Sequence, residues 1–136
     1  MDAMLLAELT DAFQDIGSQF GFMNIVVKSN KDYTDIYLVD KHALQIEIDW
    51  REFNLFMYVV YLKDGKLPNK NIIYRYNDGH WCRKYLEEIY RTKRPKAPPP
   101  PHRYSSDYIR SVFRFYEQLI SKNNGILRKF LSDIDW

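Results

Sequence analysis

The chain has 136 residues, 46% of them hydrophobic and 28% charged, which is typical of one globular domain that can bury its own core. Its single cysteine, Cys82, excludes an intramolecular disulfide and fits a reducing compartment. The acidic N-terminus is unlike a secretory signal, and no apolar run approaches the roughly 20 residues that span a bilayer. We therefore expect one cytoplasmic domain over residues 1–136, with no membrane contact.

The net charge of +2 conceals an asymmetry between the two halves of the chain. Residues 1–62 contain four Lys/Arg and ten Asp/Glu, whereas residues 63–136 contain sixteen and eight. Such a split can mark surfaces for charged partners, or it can hold the two halves together within one fold. The chain also has eleven tyrosines, and a tyrosine surplus indicates partly buried edges or a contact surface.

Residues 3–20 predict an amphipathic helix. Its apolar positions recur every three or four residues, at Leu6, Leu9, Phe13, Ile16 and Phe20. Gly21 can end this helix with a positive φ. A strand over residues 22–27, a turn at 29–32 and a second strand from Tyr33 to Val39 follow.

The stretch from Ala43 to Leu62 predicts a hairpin at the centre of an antiparallel sheet. Its first half alternates, with Leu44, Ile46, Ile48 and Trp50 on one side and Gln45, Glu47 and Asp49 on the other. Alternate side chains of a strand point to opposite faces, so the first set should be core and the second a polar face. The second half is apolar on both sides, and Arg51-Glu52 leaves room only for a tight reversal.

The basic half predicts shorter elements joined by a proline-rich segment. Ile72 to Tyr76 could be a fifth strand, and Trp81 to Tyr90 fit a short helix. Residues 95–101 should adopt polyproline II, either as a docking peptide or as a stiff strap, and the strap is favoured because helices follow directly.

Two helices are predicted at the C-terminus. Ser105 or Ser106 can cap the first, residues 123–125 end it, and a short last helix runs to about Ile134. We therefore expect an α+β fold, in which an antiparallel sheet of four or five strands is packed by an N-terminal helix and two C-terminal helices.

No motif predicts catalysis, a metal site or a cofactor. If His80 and Cys82 belong to the helix predicted from Trp81, they project in different directions, so His80 is poorly placed to activate the thiol. The spacing of Cys and His matches no zinc site. Glu47 and Asp49 share a strand face about 7 Å apart. With Asp35 they could hold an acid/base pair or a cation, but the polar face of an alternating strand usually lies in water. We expect a protein that is not an enzyme.

A basic and aromatic segment from His80 to Arg114 supports an alternative function. It contains nine Lys/Arg against three Asp/Glu, with tyrosines interleaved, as in grooves that bind single-stranded nucleic acid. The candidate residues are Arg83, Lys84, Arg91, Lys93, Arg94 and Tyr104. The low net charge of the whole chain argues against a dedicated nucleic-acid binder.

The order of elements resembles that of small bacterial immunity-type proteins encoded beside polymorphic toxins. The resemblance rests on Phe20-Gly21-Phe22 ahead of the strands, the pattern Leu44-x-Ile46-x-Ile48-Asp49-Trp50-Arg51, the apolar strand to Leu62, and the helices from Leu119 through Leu131. It implies a non-enzymatic function, the tight binding of a cognate toxin, and carries over no functional residue.

The polar face of the central strands is the predicted partner-binding surface. Acidic patches steer association with basic partners, and aromatic rings act as anchors. The candidate residues are Asp35, Tyr37, Glu47, Asp49 and Tyr58. This prediction requires that the C-terminal helices pack on the other face. The identity of the partner and the oligomeric state stay open.

Overall fold

A computed structural model of the chain describes residues 1–69, 74–99 and 103–134. Within these ranges it shows an α+β fold, as the sequence predicts. The helices are α1 (Ala3–Ser18), α2 (Leu86–Ile89), α3 (Ser106–Lys122) and α4 (Asn124–Asp133). The strands are β1 (Asn24–Ser29), β2 (Tyr33–Val39), β3 (Ala43–Asp49), β4 (Asn54–Val60) and β5 (Arg83–Tyr85). They form one antiparallel sheet in the order β1-β2-β3-β4-β5.

The apolar side of the central hairpin is the core, as predicted. Leu44, Ile46 and Ile48 are fully buried, and helices α1, α3 and α4 contribute to the same apolar cluster. Ser105 caps α3 by accepting a hydrogen bond from the Tyr108 amide at 3.2 Å. Helices α1 and α3 therefore pack on one face of the sheet and α4 packs against α2 and α3, whereas the described residues place no helix on the other face.

The connection between β3 and β4 is longer than the predicted two-residue reversal. Asp49 pairs with Asn54, so four residues form the loop. The Asp49 carboxylate accepts hydrogen bonds from the amides of Arg51 at 2.9 Å and Glu52 at 3.2 Å, and Phe53 has a φ of +49°. The Asp49 side chain thus organises the turn, which is the common role of an aspartate in this position.

The fifth strand lies elsewhere than predicted. Residues 83–85 pair with the outer edge of β4, so the helix predicted from Trp81 begins only at Leu86. Of the strand predicted over 72–76, Ile72 and Ile73 lie outside the described residues. Residues 74–76 do not form a strand, although Arg75 makes an isolated bridge to Trp81. A three-residue strand has too few positions to show a pattern of alternation in the sequence. Residues 83–85 form a strand because they pair with β4.

The start of the proline-rich segment is fastened to the sheet. Arg94 Nη2 donates hydrogen bonds to Asn54 Oδ1 at 2.6 Å and to the Leu55 carbonyl at 3.0 Å, and its guanidinium lies 4.2 Å from the Phe56 ring centroid. These contacts occupy the part of the β4 edge that β5 does not reach. The last prolines of the predicted strap lie outside the described residues, so the strap stays a prediction there.

None of the helices in the described ranges is long and apolar enough to cross a membrane.

A candidate partner-binding cavity on the helix-free face

The side of the sheet opposite the helices, the helix-free face, carries alternate residues of all five strands. The strand register places Val26, Tyr37, Gln45, Tyr58 and Tyr85 in one row across the sheet. The next row is Lys28, Asp35, Glu47 and Phe56. Side chains that directly face each other on neighbouring antiparallel strands lie within contact distance, so each row forms a continuous band.

One end of the helix-free face is covered, and the other is open. At the covered end, Ala43, Val60 and Leu62 are buried and Leu67 packs against them from the loop after β4. The open end forms a cavity of about 410 Å³, the tyrosine cavity. Its aromatic lining residues are Tyr33, Tyr37, Phe56, Tyr58, Tyr74 and Tyr85, and its polar ones include Lys28, Asp35, Gln45, Glu47 and Arg83.

Two carboxylates face each other in the tyrosine cavity. Asp35 on β2 pairs with Glu47 on β3 in the strand register. Gln45 Nε2 donates to Asp35 Oδ1 at 2.9 Å, and the Tyr58 hydroxyl donates to Glu47 Oε1 at 3.4 Å. Burial, and next the charge of Asp35, raise the pKa of Glu47 above its usual value. Glu47 forms no salt bridge with any residue that the structure describes.

The tyrosines form a packed and neutral aromatic wall. The Tyr58 and Tyr85 ring centroids lie 4.8 Å apart, and the Tyr74 and Tyr85 hydroxyls are 3.0 Å apart. Burial raises the pKa of Tyr37 to about 12, and burial with the Tyr74 hydrogen bond raises the pKa of Tyr85 to about 12. These phenols therefore stay protonated at neutral pH and offer ring faces and hydrogen-bonding hydroxyls.

Cationic side chains of the chain already contact these rings. The Arg83 guanidinium lies 5.5 Å from the Tyr58 centroid, and Lys28 Nζ lies 5.8 Å from the Tyr37 centroid. Two buried polar atoms nearby, Gln45 Oε1 and Arg83 Nε, have no hydrogen-bond partner among the described residues. A buried unpaired polar group costs free energy that a bound ligand can recover.

Four of the five predicted partner-binding residues meet in the tyrosine cavity. They are Asp35, Tyr37, Glu47 and Tyr58. Asp49 does not join them, because its carboxylate holds the β3–β4 turn and lines a smaller neighbouring cavity of about 160 Å³. The expectation of a solvated polar face is wrong for Gln45 and Asp49, which are 1% and 7% exposed. Gln45 lies between Tyr37 and Tyr58 in its row, and the Asp49 carboxylate lies within the turn whose amides it binds.

The residues of the predicted nucleic-acid patch occupy several different places. Arg83 lines the tyrosine cavity, but Lys84 points to the opposite side of β5, with its Nζ 5.1 Å from the Trp81 ring and 6.0 Å from the Phe130 ring. Arg91 lies in a groove beside α4, and Arg94 holds the edge of β4. Lys93 and Tyr104 are exposed on loops. The six residues do not line one groove.

The sequence did not predict Tyr33, Tyr74 and Tyr85 as site residues. Tyr85 lies on the short strand β5, and Tyr74 reaches the cavity from the loop ahead of it. Tyr33 starts β2 on the same face as Asp35. For Tyr33, the alternation with Asp35 and Tyr37 along the predicted strand was an available signal. For Tyr74 and Tyr85 the signal was the tyrosine surplus, which does not say which rings converge.

Cys82 and His80 lie in different surroundings. Cys82 is fully buried, and burial raises the pKa of its thiol. His80 Nδ1 instead lies 3.0 Å from the Asp78 carboxylate. In the described ranges, no group of three or more His, Cys, Asp or Glu side chains is arranged to hold a metal ion.

No protein-family model matches the chain, and neither a curated protein nor a solved structure shows significant similarity to it, so its resemblance to immunity-type proteins stays a prediction.

Proposed function

We propose that this chain is a non-enzymatic protein-binding module and that the helix-free face is its binding surface. The observation that carries this proposal is the tyrosine cavity, an open concavity with six aromatic residues in its lining, on a sheet face without helices. Tyrosine and arginine surrounded by a polar rim are the typical composition of the centres of protein interfaces.

The arrangement of these rings suits a binding surface. Tyr37 and Tyr58 are held by the sheet and almost fully buried, whereas Tyr74 is half exposed at the margin. Rings that are fixed before binding lose little side-chain entropy when a partner docks, which favours affinity. A cavity with such a rigid interior and a more accessible rim can receive a side chain that projects from another protein.

We further propose that the partner is a toxin-like protein neutralised by this binding. The proposal is supported by the resemblance in element order to immunity-type proteins. It is also supported by Asp35 and Glu47, because two facing carboxylates favour association with a basic partner. Inhibition would then follow from occlusion of the partner's functional surface and would need no chemistry from this chain.

A pair of tyrosine variants tests the binding surface. Tyr74 and Tyr104 are exposed to almost the same extent, 53% and 49%, but only Tyr74 lines the cavity. The full chain is tagged and purified from its native host, and the captured protein is identified by mass spectrometry. Tyr74→Ala should weaken binding of that protein by about tenfold or more, as expected for an interface tyrosine, whereas Tyr104→Ala should leave it unchanged.

The opposite result would favour the alternative function. Loss of binding in Tyr104→Ala but not in Tyr74→Ala contradicts the proposal, as does recovery of nucleic acid with an affinity that falls steeply with salt. Circular dichroism of both variants confirms that each is folded. Genes that neighbour this one in the host indicate independently whether a toxin is encoded beside it.

A further inference from the structure

We propose that the tyrosine cavity is a receptor for one arginine side chain of the protein partner, with Glu47 as its counter-ion. This inference rests on the proposed protein-binding function and adds the chemistry that the site recognises. The cavity of about 410 Å³ falls in the size range of ligand sites, roughly 300–1,000 Å³. It is therefore large enough for an inserted side chain rather than only a surface contact.

The cavity contains hydrogen-bond acceptors that lack a full set of donors. Glu47 receives one long hydrogen bond, from Tyr58 at 3.4 Å, and forms no salt bridge with a described residue. Gln45 is 1% exposed, lines the cavity and has an unpartnered Oε1. Asp35 faces Glu47 across the strands. A guanidinium has five N–H donors in a planar fork, which matches several convergent oxygens better than an ammonium does.

The rings provide the second half of the receptor. Phe56, Tyr58 and Tyr85 have centroids 4.8 to 6.4 Å from one another, so they form one aromatic surface. Two arginines of the chain make cation–π contacts with this surface. The Arg83 guanidinium lies 5.5 Å from the Tyr58 centroid, and the Arg94 guanidinium lies 4.2 Å from the Phe56 centroid. These contacts show that the rings of this aromatic surface bind guanidinium groups.

No cation that the structure describes forms a salt bridge with Glu47, although the charge of Arg83 partly offsets the rise in the pKa of Glu47. Lys28 is exposed on the edge strand β1 and contacts the Tyr37 ring, and the Arg83 contact is with the Tyr58 ring. The alternative is an anionic ligand for Arg83, whose Nε is unpaired. The cation is favoured because two acceptors, the Glu47 carboxylate without a salt bridge to a described residue and the unpaired Gln45 amide oxygen, outnumber that single donor.

Small probes test the chemistry without the partner. The probes are N-acetylarginine methylamide, the neutral isostere N-acetylcitrulline methylamide, and the lysine and glutamate analogues. Each is titrated into the full chain to tens of millimolar while two-dimensional NMR follows backbone amides. The arginine probe should produce saturable shifts centred on Glu47 and Tyr58, and its affinity should exceed that of the citrulline, lysine and glutamate probes by about tenfold.

Matched variants separate the counter-ion from a general loss of charge. Glu47→Gln should weaken the arginine probe about tenfold and leave the citrulline probe unchanged. Glu88→Gln removes the same charge from an exposed position of α2 and should change neither. Unchanged arginine affinity in Glu47→Gln overturns the proposal, and so does equal binding of the citrulline or lysine probe.

The remaining outcomes distinguish this inference from the proposed function. Preferential binding of the glutamate probe overturns the arginine receptor and assigns an anion to Arg83. Failure of every probe, while Tyr74→Ala still releases the captured partner, overturns the receptor and leaves the protein-binding function intact. If Tyr74→Ala binds the partner normally, the proposed function itself fails, whatever the probes show.

Discussion

Glu47 is a residue at which stability and recognition oppose each other. Burial and the facing Asp35 raise its pKa, so its ionised form is less stable in the folded protein than in water. A partner's cation would offset that cost. An ionised Glu47 without a salt bridge therefore lowers the stability of the free chain, and it can favour binding once a partner supplies a cation.

We predict that Glu47→Gln raises the free energy of unfolding at pH 7. The folded-state pKa of Glu47 lies above its unfolded value of about 4.5. Below that pH the carboxyl is protonated in both states, so the penalty is absent, and it develops as the pH rises through the folded-state pKa. Urea denaturation of wild type and variant between pH 4 and pH 8 should show curves that separate with rising pH.

The exposed Glu88→Gln variant should follow the wild type over the same pH range. A Glu47→Gln protein that is less stable than the wild type at pH 7 would show that the carboxylate stabilises the free fold. The fold would then not destabilise the ionised form of Glu47.

At the scale of elements, α1 can lie close to β2 because Gly17 has no side chain. Gly17 lies in the last turn of α1, and a Cβ placed there would approach Leu38 Cδ1 to 2.4 Å. Leu38 is itself 1% exposed and has little room to move. The glycine therefore lowers the helix propensity of its turn but allows the helix to pack against the sheet.

We predict that Gly17→Ala destabilises the protein by about 1–3 kcal/mol, because the added methyl group overpacks the α1–β2 contact. Thermal or urea unfolding measures the change. Gly125 is the control, since a Cβ there meets only Asn123 Oδ1 at 3.4 Å. Gly125→Ala in α4 should be neutral or stabilising by a few tenths of a kcal/mol. Equal effects at both positions would contradict close packing as the cause.

Arg94 fixes the start of the proline-rich segment to the β4 edge through its planar fork. We predict that Arg94→Lys destabilises the fold by about 1–3 kcal/mol, because an ammonium cannot keep both the Asn54 and Leu55 contacts and the stacking on Phe56. The neighbouring Lys93 is exposed, so Lys93→Ala should change the unfolding midpoint little. Similar losses in both variants would argue against a specific anchor.

At the scale of the whole molecule, part of the charge asymmetry is used within the fold. Arg110 on α3 bonds to Glu8 on α1 at 2.6 Å, which joins the basic half to the acidic half. Ser106 likewise donates to Asp2 at 2.8 Å. Glu47 forms no such ion pair with a residue that the structure describes, and the charge of Arg83 offsets only part of the rise in its pKa.

We predict that the association rate with the captured protein falls as NaCl is raised above about 0.15 M, because salt screens the attraction to Asp35 and Glu47. Stopped-flow or surface-based kinetics measures this slope. Asp35→Asn should reduce both the rate at low salt and its salt dependence. Asp11→Asn, an exposed change on α1, should alter neither. A rate that is independent of salt would contradict electrostatic steering by this face.

The core of the fold and part of the candidate site could be predicted because their signals are local. Leu44, Ile46 and Ile48 alternate with polar neighbours, and this alternation predicted both the buried face and the opposite face that carries Glu47. Asp49 fits the same alternation, but its carboxylate accepts hydrogen bonds from the Arg51 and Glu52 amides and therefore acts in the turn rather than on the face.

The sequence by itself determined the α+β class, the core side of the central hairpin and the concentration of acidic residues on its other side. Only the tertiary structure decided that the C-terminal helices leave that side uncovered, that β5 completes the sheet, and that Tyr74 and Tyr85 close an acidic strip into a cavity. The reason is physical. Side-chain alternation is encoded along a single strand, whereas the convergence of rings from a loop and two distant strands depends on contacts between residues far apart in the chain.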